Sequence, residues 1–193
     1  MTPELEYSLP PAIRRISGAF RRFGWISFWA QLVLGVIASL ALIFAIASLS
    51  ARNGGNNPGA GAGLLFTSVG QVTVFISAFW AFRYTRLSRQ LRSRDDAKRP
   101  KPKAIIRSLR VGLFISLGGM LATLIGAEAT VGALLAKALS QPQGAAVFGA
   151  PSSVSQYVQP LDIFVIQANT NILLAHFVGL VFTLWTMNSL DNT

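Results

Sequence analysis

Four long apolar stretches alternate with polar segments along the chain. They run from Trp25 to Leu49, from about Gly63 to Phe82, from Val111 to about Ala136 and from about Leu161 to Met187. A helix of about 20 apolar residues crosses the hydrocarbon core of a bilayer, so each stretch is long enough to do so. The pattern predicts an all-α polytopic membrane protein, a bundle of four transmembrane helices that forms a single membrane domain over residues 1–193.

The segments between the spans differ in composition. Residues 83–110 form a basic loop with eleven Lys or Arg, residues 50–62 are rich in Gly and Asn, and residues 137–160 are rich in Gln, Gly, Ser and Pro. Four more arginines precede the first span, so the N-terminal segment and the basic loop hold fifteen of the seventeen basic residues. Positively charged segments stay on the cytoplasmic side during insertion. We therefore expect the basic loop and both termini to be cytoplasmic.

Composition then limits the chemistry that the chain can perform. The chain is 52% hydrophobic and 12% charged, whereas soluble domains carry about 25% charged residues. It has no Cys, which excludes disulfides and thiolate sites, and its single His and seven acidic residues leave little for a metal site or an acid–base pair. We therefore expect no enzymatic activity and no cofactor. The net charge of +10 does not indicate nucleic acid, because it lies between apolar spans rather than on a folded basic face.

The segment before the first span carries a pattern of its own. Within residues 10–23, Ile13, Ile16, Phe20 and Phe23 recur at helical spacing, with arginines between them and two prolines at the start. Such a segment is typical of an N-terminal amphipathic helix that lies in the interfacial headgroup layer. The alternative is a disordered lead into the first span.

Small residues recur at regular intervals in the third span. Gly112, Gly119 and Gly126 are seven residues apart, and Gly118, Ala122 and Gly126 are four apart. Small residues let helix backbones approach closely inside a membrane. The third span is therefore predicted to be the central packing helix, either within the bundle or at a subunit interface.

Polar side chains in three of the spans fall towards the non-cytoplasmic side of the membrane. They are Gln71, Glu128, Gln167, Asn169, Asn171 and, about a turn and a half further in, His176. Polar and ionisable groups are expensive against lipid, so the set is a candidate path for a ligand or an ion. The alternative is structural, since amides also form hydrogen bonds that hold helices together. A lone His is more often a packing residue than a metal ligand, so any metal ligands stay unassigned.

Four segments of the sequence carry a family resemblance. RRFGWISFWAQLVLG, SAFWAFRYTRL, GAEATVGALLAKALSQPQG and QANTNILLAHFVGL, in that order, resemble a family of four-span membrane proteins shared by cyanobacteria and chloroplast inner envelopes. The resemblance covers nearly the whole chain. Plant members of that family have been described as a channel component of the Tic translocon and as a chloroplast iron permease, and they carry a transit peptide that we do not expect here.

The resemblance implies a membrane permease or channel component, for iron or another metal cation, in the plasma or thylakoid membrane of a cyanobacterium-like cell. The alternative is a non-transporting membrane subunit or assembly factor of a larger photosynthetic or translocation complex. Small size and the lack of an evident internal repeat favour the alternative. The partners expected are the lipid bilayer, anionic lipid or protein at the basic loop, and either further copies of the chain or a larger membrane complex.

Overall fold

The computed structural model describes four segments of the chain, residues 11–50, 58–93, 99–139 and 160–191. Each segment is built on one long helix, and no strand occurs within these ranges. The helices are α1 (Pro11–Ser50), α2 (Pro58–Leu91), α3 (Pro102–Leu139) and α4 (Pro160–Asp191). All four are long and apolar enough to cross a membrane. The predicted all-α fold with four transmembrane helices is confirmed.

Each of these helices begins at a proline. The first position of a helix suits proline, because its backbone nitrogen needs no hydrogen there and its fixed φ matches the helix. The helices extend beyond the predicted spans, mostly at the end that carries the arginines. The glycine-rich and glutamine-rich connections between the spans lie largely outside the described residues.

The four helices form a bundle in which consecutive helices are neighbours. α1 and α3 each pack against α2 and α4, and α2 and α4 also touch each other across the centre. At the end remote from the arginine-rich segments, Lys137 on α3 forms an ion pair with Asp162 on α4 at 3.3 Å. This pair joins the last turns of α3 to the first turn of α4.

Buried positions on α2 and α3 repeat with a period of seven residues. On α3 they are Ile105, Leu109, Gly112, Ser116, Gly119, Thr123 and Gly126. On α2 they include Gly63, Thr67, Gly70, Val74, Ser77, Ala81, Tyr84, Ser88 and Leu91. Alternating steps of four and three are the heptad pattern of helices that pack with a left-handed twist. Here the core positions hold mostly small residues instead of leucine.

The interface between α2 and α3 pairs glycines with threonines. A Cβ atom on Gly126 would lie 2.8 Å from both the amide nitrogen and the hydroxyl of Thr67, and one on Gly70 would overlap Thr123. Each threonine hydroxyl donates to a carbonyl one turn earlier in its own helix, at 2.7 to 2.8 Å. The hydroxyls are therefore satisfied locally while the backbones approach closely, which is how small residues stabilise helix pairs in lipid.

The outward faces of the helices are apolar. Large side chains such as Phe44, Phe79 and Phe114 are 61 to 69% exposed in the folded chain. An apolar surface that continues around all four helices is far larger than a soluble protein exposes to water. The chain is therefore an integral, multi-pass membrane protein whose outer surface contacts the lipid bilayer.

A second core lies at the end of the bundle that carries the arginines. We call it the basic-end core, and it consists of Phe20, Tyr84, Leu91, Ile105 and Leu109. The rings of Phe20 and Tyr84 meet edge to face with centroids 6.0 Å apart. Helices α1, α2 and α3 all contribute to it, so it fixes their ends relative to one another.

The N-terminal amphipathic segment is helical, as predicted, but it is continuous with the first span. α1 runs without interruption from Pro11 to Ser50. Ile13 and Ile16 pack against the basic-end core, and Phe20 is fully buried within it. The apolar side of the segment is therefore covered by α2 and α3, because their extensions offer an apolar partner at that level.

Candidate functional site

The interior of the bundle contains a series of polar side chains between the basic-end core and the far end. We call this series the polar column, and it consists of Gln31, Thr67, Gln71, Thr73, Ser77, Ser116, Asn169, Asn171 and His176. All are buried except Thr73, which is half-buried. Along α2 alone it extends from Thr67 to Ser77, ten steps of the helix or about 15 Å. Polar groups at membrane depth normally face protein or water, and these face protein.

His176 lies at the centre of the polar column. Its Nε2 atom is 3.2 Å from both the Thr73 hydroxyl and the Gly70 carbonyl oxygen. The Thr73 hydroxyl donates its one proton to the Gly70 carbonyl at 2.7 Å, so Nε2 must be the donor in its own contacts. The imidazole proton therefore lies on Nε2, and Nδ1 carries the lone pair. A Cβ atom on Gly119 would overlap this ring, so that glycine makes room for it.

Thr67 and Asn169 connect α2 to α4 one level further from the arginines. The Thr67 hydroxyl is 2.8 Å from the Asn169 Oδ1 atom and 2.8 Å from the Gly63 carbonyl oxygen. One hydroxyl proton cannot serve two acceptors. The orientation of a side-chain amide is assigned from its hydrogen-bond network. Rotating the Asn169 amide by half a turn makes its NH2 group the donor to the Thr67 oxygen. The Thr67 hydroxyl proton is then left for the Gly63 carbonyl. Asn169 then keeps a carbonyl oxygen free in the interior.

Gln71 connects α2 to α1. Its amide NH2 group donates to the Gly35 carbonyl oxygen and to the Ser39 hydroxyl, both at 2.8 Å. The two donors of the amide are thus used, and its Oε1 atom is buried without a hydrogen-bond partner in the described part of the chain. The amide is oriented by α1 and presents only its acceptor for further binding.

Nearer the arginines, side chains from three helices converge on a glycine of the fourth. A Cβ atom on Gly179 would lie 3.0 to 3.1 Å from the polar atoms of Ser116, Gln31 and Ser77. The Ser77 and Ser116 hydroxyls are 3.0 Å apart, and Gln31 donates to Ser27 at 2.7 Å. Gln31 is fully buried, and its Oε1 atom has no hydrogen-bond partner among the described residues.

Buried polar atoms without a partner thus recur at every level of the polar column. Within the described ranges they include Gln31 Oε1, Gln71 Oε1, Asn171 Nδ2 and His176 Nδ1, together with one atom of the Asn169 amide. Each such atom costs about 1 to 3 kcal/mol when it is left unpaired, so a series of them needs an explanation. Amide oxygens and an imidazole lone pair can accept a proton or coordinate a cation. The described residues contain no group of three or more His, Asp or Glu that could hold a metal ion.

The structure brings together four of the six polar residues selected from the sequence. Gln71, Asn169, Asn171 and His176 are buried in the polar column. Glu128 and Gln167 are exposed on the outer surface of the bundle. The reason for Glu128 is its position two residues after the buried Gly126, which places it roughly 200° around the α3 axis. Its depth along the helix suits the cluster, but its side of the helix does not.

The small residues of α3 fall into a buried group and an outer group according to their spacing. Gly112, Gly119 and Gly126, seven residues apart, are buried and face Tyr84, His176 and Thr67 respectively. Gly118 is exposed with nothing within 4 Å of its Cβ position, and Ala122 is half-buried. Residues seven apart stay on the contact face of a left-handed helix pair. Repeated steps of four, without the alternating steps of three, rotate away from that face.

The sequence pattern did not predict the level formed by Gln31, Ser77 and Ser116. Gln31 offered a signal, because it is the single amide within the otherwise apolar stretch from Trp25 to Leu49. The two serines offered none, since small hydroxyl residues are common in transmembrane helices. Their meeting depends on the register between α2 and α3.

Long apolar helices packed around a polar interior define the class as an integral membrane protein with a four-helix bundle. Residues 10–191 match the family described as "Protein of unknown function (DUF3611)", and the chain belongs to this family. It is 38% identical over 179 residues to Protein TIC 21, chloroplastic, from Arabidopsis thaliana. This match covers 92% of the chain and 58% of that relative, so the chain spans less than two thirds of its length. No solved structure matches the chain.

The family resemblance seen in the sequence is therefore confirmed, including its chloroplast member. The polar column is the feature of this chain from which a function can be argued.

Proposed function

We propose that this protein is a membrane permease or channel component that moves iron or another metal cation along the polar column. The observation that supports this proposal is that Gln31 Oε1, Gln71 Oε1 and His176 Nδ1 are buried acceptors with no hydrogen-bond partner among the described residues. Imidazole nitrogen and amide oxygen are ligands that transition-metal cations accept. The relation to Protein TIC 21, a chloroplast protein, supports a role in an envelope-type membrane.

Cation ligands that bind weakly and one after another suit a permeation path better than a storage site. A permeating ion must be bound well enough to enter and loosely enough to leave. The acceptors of Gln31, His176 and Gln71 lie on different helices and at different levels, so they would bind an ion in turn. In this conformation Gly119 and Gly126 hold the helices close together. Passage along the column therefore requires α3 to separate from α2 and α4, or an oligomer that opens it.

The second candidate is a non-transporting membrane subunit or assembly factor of a larger complex. The observation that favours it is the outward position of Glu128 and Gln167 on apolar helix faces. A carboxylate facing lipid costs about 2.5 to 3.5 kcal/mol at the bilayer centre and less near the interface. A partner chain or a second copy that covers this face with polar groups would remove that cost.

Cation flux into liposomes tests the first candidate against the second. We expect the purified protein to admit Fe²⁺ to vesicles that contain a quenchable dye, and His176→Gln to reduce the rate about tenfold, the effect of raising the barrier by roughly 1.4 kcal/mol. Glutamine keeps a donor for Thr73 and Gly70, but it replaces the imidazole nitrogen with an amide oxygen, which suits a transition-metal cation less well.

Glu128→Gln is the matched control, because it removes a charge from the outer surface and leaves the polar column unchanged. It should transport at the normal rate. Absence of flux for the unmodified protein, together with loss of a co-purifying partner in Glu128→Gln, would favour the second candidate instead.

We also propose that both termini and the basic loop are cytoplasmic. Support comes from the aromatic residues at the arginine-bearing end, where Phe23 contacts Trp185 at 5.7 Å between ring centroids and Trp25 contacts Phe82 at 6.4 Å. Tryptophans mark the interface between lipid and water.

Cysteine labelling tests this orientation. Cysteines that replace Asn56 or Gln143, which lie outside the described residues, should react with an impermeant reagent added outside the cell. A cysteine replacing Ser93 should react only after the membrane is opened. Labelling of the Ser93 replacement from outside would reverse the orientation.

A further inference from the structure

A groove between α1 and α2 lies at the arginine-bearing end of the bundle, outside the polar column. Its volume is about 210 Å³, and its lining includes Arg21 and Trp25 from α1 and Phe82, Arg89 and Arg92 from α2. The two helices approach closely beside it. A Cβ atom on Gly24 would lie 3.0 Å from the Ala81 carbonyl oxygen and 3.2 Å from Thr85.

The groove carries positive charge that no acidic side chain among the described residues balances. Arg21 and Arg89 are exposed, and neither has an ion pair within the part of the chain that the structure describes. Arg92 donates from Nε to the Ser17 hydroxyl at 2.9 Å. This bond orients its guanidinium, and the terminal NH2 groups have no hydrogen-bond partner among the described residues. Cations grouped around one concave site concentrate a positive potential, so the groove attracts an anion.

The two hydroxyl groups that line the groove already donate to backbone carbonyls, so its charged donors are the arginines. The Thr85 hydroxyl donates to the Phe82 carbonyl oxygen at 2.7 Å, and the Ser88 hydroxyl donates to the Ser17 carbonyl oxygen at 2.7 Å. Guanidinium groups bind phosphate through pairs of parallel hydrogen bonds, which suits a phosphate-bearing ligand.

Trp25, Phe28 and Phe82 form an aromatic wall beside the groove, and this wall indicates where the apolar part of a phosphate-bearing ligand would lie. Trp25 stacks on Phe28 with ring centroids 5.7 Å apart, and Phe28 contacts Phe82 at 5.5 Å. These rings continue the groove towards the exposed apolar faces of α1 and α2. A tryptophan at this level marks the headgroup layer. An occupant with an anionic head and apolar chains would satisfy both parts of the surface.

We propose that the α1–α2 groove binds one anionic phospholipid, with its phosphate held by Arg21, Arg89 and Arg92 and its acyl chains lying along Phe28 and Phe82. The site does not depend on transport through the polar column. It would anchor the arginine-bearing ends of α1 and α2 to one leaflet through a specific lipid as well as through general surface charge.

Native mass spectrometry of the full chain, extracted with phosphatidylcholine and phosphatidylglycerol together, tests the proposal. We expect one phosphatidylglycerol retained per chain, and about a hundredfold weaker retention in the double variant Arg21→Gln/Arg89→Gln, since each lost hydrogen bond between charged groups costs about a factor of ten. Both residues are exposed, so the variant should keep its thermal unfolding midpoint.

Arg107→Gln/Arg110→Gln is the control, because it removes the same number of charges from the arginine-bearing end of α3. Both residues are exposed, and neither lines the groove. Equal loss of phosphatidylglycerol in both double variants would show general charge attraction and overturn the site. Displacement of the lipid by inorganic phosphate at equal concentration would also overturn it, since the groove would then hold a soluble anion without using its aromatic wall.

Discussion

Gly126→Leu should lower the free energy of unfolding of the bundle by about 3 kcal/mol, the upper end of the usual cost of overpacking. The new side chain would enter space occupied by the backbone nitrogen and hydroxyl of Thr67, 2.8 Å from the Cβ position. Backbone atoms cannot rotate away, so α2 and α3 must separate. Thermal unfolding in detergent, followed by the fluorescence of the four tryptophans, measures the loss.

Gly118→Leu provides the matched control on the same helix. Nothing lies within 4 Å of the Cβ position there, and leucine is about 1 kcal/mol more favourable than glycine in a helix. This variant should unfold at the same temperature as the natural protein or slightly higher. Equal unfolding midpoints for the two variants would mean that the α2–α3 contact contributes little to stability.

Phe20→Ala should also cost about 3 kcal/mol or more, because the ring is fully buried and its removal leaves a cavity in the basic-end core. That core lies beside charged segments, where water is the competing solvent and burial of apolar surface is favourable. The loosened helix ends should make trypsin cleave the arginine-rich segment between α2 and α3 faster, since local opening controls cleavage.

The comparison for Phe20 is Phe114→Ala, on the outer face of α3. Phe114 is 69% exposed and faces lipid tails that are as apolar as the side chain itself. Its truncation should change neither the unfolding temperature nor the cleavage rate appreciably. A large effect at Phe114 would indicate that this face is a protein interface.

The position of each side chain along its helix was predictable from the sequence, but its direction around the helix was not. Hydropathy placed Glu128 and Asn169 at similar depth, and the heptad glycines indicated the buried face of α3. The structure then puts Asn169 inside and Glu128 outside. The two-residue spacing between Gly126 and Glu128 implies that Glu128 points away from the buried face of α3. That inference requires knowing that the seven-residue glycine spacing, and not the four-residue spacing through Gly118, marks the contact face.

The amphipathic segment before the first span shows a second limit of sequence reasoning. The spacing of Ile13, Ile16 and Phe20 requires only that one face be covered by something apolar. The headgroup layer and the extensions of α2 and α3 would satisfy that requirement equally. Only the register of the bundle, which brings Tyr84 and Ile105 to the same level, decides between them.

The continuous helix α1 divides the arginines into two electrostatic zones. Arg14 lies eleven residues before Trp25, about 16 Å along the helix axis. At physiological ionic strength the Debye length is about 8 Å, so the charge of Arg14 is largely screened from the headgroups near Trp25. Arg21 lies four residues before Trp25, within one Debye length. Added salt should therefore abolish interactions at the tip of α1 well before it affects an anion held in the α1–α2 groove.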